Sequence, residues 1–107
     1  MKILIAIAII AMIALVGCDL DQSVEVRYTV TATESIRSVT ISAGGTVQFT
    51  DVAPPWSYSF TATEGDFVYV SAMGYGVVVV EIYRNGKLYR SARSEGRPVI
   101  ARVSGRA

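Results

Sequence analysis

Two hydrophobic patterns divide this chain of 107 residues. Ile3 to Val16 is apolar at all 14 positions. From Val24 onward, apolar residues instead recur at every second position. Val24, Val26, Tyr28, Val30 and Ala32 alternate with Glu25, Arg27, Thr29, Thr31 and Thr33. A period of two sends alternate side chains to opposite faces, so this segment is predicted to be a half-buried strand. The same pattern predicts strands over 36–42, 46–52, 57–63, 67–73, 77–84, 87–94 and 99–103. Val77 to Val80 is apolar on both faces, which predicts a central strand. Turn chemistry separates the runs: Ala43-Gly44-Gly45, Pro54-Pro55, Glu64-Gly65-Asp66, a flexible break at Gly74-Tyr75-Gly76, Asn85-Gly86, and Glu95-Gly96-Arg97-Pro98. No helical period follows Cys18. Seven to eight short strands joined by short loops predict an all-β fold, an antiparallel β-sandwich of immunoglobulin-like type, with a small barrel as the second choice.

The first pattern has a different purpose. A helix of that apolar length rises about 21 Å, short of the roughly 30 Å hydrocarbon core of a bilayer. Lys2 precedes it and small residues end it, which are the marks of a secretory signal peptide. Leu15-Val16-Gly17-Cys18 resembles the lipobox of bacterial lipoproteins. That resemblance implies a diacylglyceryl group on the Cys18 thiol, cleavage before Cys18 and acylation of the new amine. Cys18 is the only cysteine, so it has no disulfide partner within the chain. The alternative is an uncleaved anchor helix. Either way the expected location is the bacterial cell envelope, at the extracytoplasmic face and tied to membrane lipid. Asp19 follows directly, and in enterobacterial lipoproteins aspartate there is associated with inner-membrane retention. The expected organisation is a signal peptide over 1–17, a lipidated linker over 18–23 and a β domain over 24–105. The linker reaches at most ~20 Å when extended, which holds the domain close to the bilayer.

Charge is unevenly distributed along the mature chain. Cys18 to Asp66 contains seven acidic residues against Arg27 and Arg37. Phe67 to Ala107 contains Glu81 and Glu95 against Arg84, Lys87, Arg90, Arg93, Arg97, Arg102 and Arg106. One reading is a solvated, self-neutralising surface. The other is a basic surface for anionic lipid headgroups, acidic glycans or an acidic partner. Nucleic acid is not expected as a partner of an exported, anchored domain.

Candidate chemistry is sparse. The chain has no histidine, and no serine stands beside an evident base. Glu64 and Asp66 flank Gly65, but calcium needs six to eight oxygens, so a solvated turn is expected there. No catalytic residue, metal site or cofactor is assigned, and the chain is not expected to be an enzyme. The candidate binding-surface residues are Trp56, Tyr75, Arg84, Arg90 and Arg93. Trp56 follows the two prolines. It is read either as a corner residue of the core or as an exposed aromatic that docks on lipid or a partner.

Three segments carry a further resemblance: "VRYTVTAT", "DVAPPWSYSFTATEGDFVYVSA" and "VEIYRNGKLYRSARSEGRPVIARVSG". Their order and spacing resemble the MmpS family of small membrane proteins over residues 26–105. The matching positions are Pro55, Trp56 and Ser57, then Ser71 and Ala72, then Asn85, Gly86 and Lys87, then Ser104 and Gly105. The resemblance implies an extracytoplasmic β-sandwich that acts as an accessory to a large membrane transporter. The chain departs from that pattern in having a lipobox where many members have an anchoring helix. It also lacks the cysteine pair that many members have near the positions of Val80 and Val103. Three functions stay open at this stage. One is an interaction module serving an export or envelope complex. Another is a small carrier of a lipidic or anionic ligand. The third is a surface-exclusion or immunity lipoprotein.

Overall fold

A computed structural model describes residues 23–107. The apolar stretch, Cys18 and Asp19 lie outside the described residues. Six antiparallel strands make up one sheet: β1 (Ser23–Ala32), β2 (Ser35–Ser42), β3 (Thr46–Val52), β4 (Trp56–Thr63), β5 (Phe67–Arg84) and β6 (Lys87–Arg106). The all-β, antiparallel character follows the alternation in the sequence.

The strands are arranged as long ribbons. β1 and β2 lie end to end along one side of β5, with Tyr28 opposite Ile82 and Val39 opposite Ala72. β4 and β3 lie end to end along the outer side of β1 and β2. β6 covers the other side of β5 from Arg84–Lys87 to Phe67–Arg106. β5 is thus the central strand. Val78 and Val80 are fully buried, while Val77 and Val79 are half-buried.

Every ribbon is interrupted or bent at one level: Thr33-Glu34, Ala53-Pro55, Gly74-Gly76 and Gly96-Pro98. In β5 the register with β6 shifts between Gly74 and Gly76, and Gly76 has φ +89°. Thr33 Oγ1 accepts a hydrogen bond from the Val77 amide at 2.9 Å and fixes the bend. Here the chain differs from the expected seven to eight strands. Gly74-Tyr75-Gly76 and Glu95–Pro98 do not end strands. A bulge absorbs the extra residue in β6, where Arg97 and Pro98 stand opposite Tyr75, while pairing continues on either side. Pro98 is tolerated because β6 is an edge strand, where a missing amide donor need not break a ladder.

The bends bring the two halves of the sheet face to face, so one curled sheet supplies both layers of the core. An immunoglobulin sandwich would instead hydrogen-bond its two layers as separate sheets. The inner rows are Val24, Val26, Tyr28 and Val30 of β1, Ile36, Val39 and Ile41 of β2, and the buried valines and Ile82 of β5. Each such side chain contributes about 1.5–3 kcal/mol on burial. Tyr28 ties the halves together. Its hydroxyl donates to the Ser42 carbonyl at 2.5 Å and accepts from the Tyr69 amide at 3.2 Å. Burial pushes its pKa up to about 12, against the opposing effect of the Tyr69 amide.

Candidate functional surface

The end of the sheet away from the bends collects several turns and chain segments. β1 begins there, with Ser23 opposite Thr63. The Glu64–Asp66 turn closes by Asp66 N donating to Thr63 O at 3.0 Å, while Asp66 Oδ2 accepts from Thr63 N at 3.0 Å. The Asn85-Gly86 turn is formed by two residues with positive φ, 50° and 81°, as a type I′ hairpin requires. It is sewn to β1 by two bonds between Asn85 and Glu25. The end of β6 joins them: Ala107 N donates to Asp66 O and Gly65 N to Ala107 O, both at 2.7 Å.

The hairpin and the end of β6 together gather cations around Tyr89. The Arg84 guanidinium lies 3.7 Å from the Tyr89 ring centroid and that of Arg90 lies 5.0 Å away. Arg84 Nη1 also donates to the Arg106 carbonyl at 3.1 Å, and the Arg106 amide donates to the Tyr89 hydroxyl at 3.2 Å. Gly105 packs against Tyr89; a Cβ at Gly105 would come within 2.6 Å of the ring. The Tyr89 pKa is pulled down, first by the Arg106 amide, then by Arg90, and by the positive charge of both guanidinium groups. Lys87 and Leu88 line the same place, an open groove of about 550 Å³ that also meets Val24, Glu64 and Asn85. Among the described residues, the only salt bridge is Arg97–Glu34, at 2.8 Å near the bend. Arg84, Lys87, Arg90 and Arg106 have no carboxylate within 4 Å there.

The structure therefore brings Arg84 and Arg90 together and leaves the other candidates apart. Arg93 pairs with Val79 farther along β6, on the alternate face of that strand. Tyr75 sits at the bend, where its hydroxyl accepts from Arg37 at 3.3 Å. Trp56 opens β4 on the inner face, half-buried, stacked on Tyr58 at 6.2 Å and tilted on Phe49 at 5.2 Å. Tyr58 and Phe60 continue that row down the strand. Leu88 and Phe67, both more than half exposed, were not marked out by the sequence. Both sit beside predicted turns at the end of the sheet, paired with Tyr83 and Arg106, and nothing among the described residues packs over them there.

Other surfaces differ in character. The outer edge of β4 has no partner strand among the described residues and carries no charged residue from Trp56 to Thr63. The outer edge of β6 is defended by Arg90, Arg93, Arg97, Arg102 and Pro98, the kinds of residue that discourage strand addition. Met73 and Ile100 pair across β5 and β6, 36% and 47% exposed. On the outer face of β1 and β5, Arg27 lies over the Tyr83 ring at 4.5 Å, and Thr29 and Tyr83 both donate to Glu81. Partial burial, then the Glu81 hydrogen bond and charge, raise the Tyr83 pKa against the pull of Arg27. No three His, Cys, Asp or Glu side chains that could hold a metal lie together among the described residues.

No protein-family model matches this sequence, and no curated protein matches it.

Proposed function

We propose that the protein is a lipid-anchored interaction module of the bacterial cell envelope, serving a membrane export or envelope assembly from the extracytoplasmic face. Leu15-Val16-Gly17-Cys18 supplies the anchor, and Ser23, where β1 begins, follows Cys18 by five residues. The observation that carries the interaction reading is the contrast between the two edges of the sheet. An uncharged edge with free amides and carbonyls is a template for a strand from another chain. β4 presents such an edge, with the half-buried row of Trp56, Tyr58 and Phe60 beside it. The order of segments that resembles the MmpS family points the same way, toward a subunit that works by contact.

A photo-crosslinking residue in place of Ser59 tests this in intact cells. The expected product is a discrete adduct with a membrane protein, lost in Cys18→Ser, whose precursor stays unprocessed and unlipidated. The same probe in place of Arg93 gives no adduct. Absence of an adduct from Ser59 at native abundance refutes the proposal, as does one that persists with unchanged membrane retention and normal processing in Cys18→Ser.

A further inference from the structure

We infer that the end of the sheet formed by the Asn85-Gly86 hairpin, Tyr89 and the close of β6 is a docking surface for an anionic bilayer, with Arg84, Lys87, Arg90 and Arg106 meeting lipid phosphates and Leu88 and Phe67 entering between the headgroups.

Three independent observations converge on this end. The first is charge: these four cations have no carboxylate within 4 Å among the described residues, and Glu64 is the one acidic side chain lining the groove of Arg84 and Lys87, with Asp66 beside Phe67 in a neighbouring groove. Guanidinium groups suit phosphate because their fork of donors matches its oxygens, and they are less tightly hydrated than an ammonium. Tyr89 holds Arg84 and Arg90 in place, so less side-chain freedom is lost on binding.

The second is apolar exposure. Leu88 is 54% and Phe67 52% exposed. Leu88 adjoins Lys87 at the hairpin. Phe67 is opposite Arg106, whose amide reaches Tyr89. Exposed apolar residues with cations near them are what an interface between headgroups and acyl chains accommodates. An acidic protein surface would match the charge but not two protruding apolar side chains.

The third is direction. Ser23 pairs with Thr63 at this same end, and Glu25 is bonded to the hairpin itself. Given the lipid anchor proposed above, on which the orientation rests, the linker of ~20 Å brings this end to the bilayer first. The uncharged β4 edge then stands across the membrane surface, open to a partner.

The test uses the full chain carrying L88W, with the wild-type chain, whose only tryptophan is Trp56, as the blank. Vesicles contain phosphatidylglycerol with brominated acyl chains, or phosphatidylcholine brominated in the same way. The expected result is blue-shifted, bromine-quenched emission from the introduced indole with phosphatidylglycerol, and much less with phosphatidylcholine. Adding K87Q and R90Q, both at exposed positions, lowers the docked-to-free ratio about thirtyfold, since each cation near an anionic surface counts for about 1 kcal/mol. Emission typical of water in phosphatidylglycerol vesicles overturns the inference, and so does quenching that ignores both the anionic lipid and the two substitutions. Mass measurement at Cys18 judges the anchor separately: a bare thiol defeats the anchoring reading, while the indole still reports on the surface.

Discussion

Tyr28→Phe is the substitution that most directly tests how the sheet is held in its curl. The ring of Tyr28 is fully buried and tilted against Phe60 at 5.3 Å, and phenylalanine keeps both features. What is lost is one hydroxyl. It bridges two backbone groups in the opposite half of the sheet, the carbonyl of Ser42 and the amide of Tyr69. Those groups belong to Ser42 and Tyr69, the last pair of the β2–β5 ladder. A buried backbone group left unpaired costs about 1–3 kcal/mol, and the bridge serves two at a position that water partly reaches. The expected loss is about 2 kcal/mol, which for a domain of this size lowers Tm by roughly 8–16 °C. Thermal and guanidinium unfolding followed by circular dichroism measures it. Tyr83→Phe is the control, because its hydroxyl meets only Glu81 on the outer face; its expected effect is within about 0.5 kcal/mol. Equal effects from the two substitutions would refute the argument that Tyr28 joins the two halves.

Two other expectations follow from the same geometry. Gly76→Ala places a Cβ against Thr33 Oγ1 at φ +89°, displacing the group that caps the Val77 amide, and is expected to cost about 2–4 kcal/mol in chemical denaturation. The raised Tyr28 pKa fixes the sign of an alkaline effect. The folded state keeps its proton up to about 12, whereas the unfolded state loses it near 10, so this contribution is complete below pH 10 and is lost as pH rises toward 12. Unfolding midpoints measured across that window should fall in the native chain and fall less in Tyr28→Phe.

The turns show how much was legible in advance. Asn85-Gly86 announced a hairpin because both residues accept positive φ, and both have it. The alternation in 24–33 named the buried face of β1 residue by residue, from Val24 to Val30. Gly74-Tyr75-Gly76 misled because glycine weakens a strand locally, and nothing nearby in sequence tells a break from a bulge. Partners on both sides decided it. Of the candidate surface, Arg84 and Arg90 were visible as charges, and Lys87 was fixed beside Arg84 by the hairpin. Tyr89 was visible only as an aromatic that could face either way. That Arg106 closes on Tyr89, 17 residues earlier in the same strand, was not visible.

By itself the sequence determined the all-β class, the positions of most turns and the apolar face of the strands flanking the core, because pleat and turn chemistry act between residues a few positions apart. The tertiary structure alone decided that one sheet would bend through Gly76 and cover its own inner face. That bend carries Arg84, Tyr89, Arg90 and Arg106 to one end, since burying both halves against each other is a gain summed over the whole chain and written in no single segment of it.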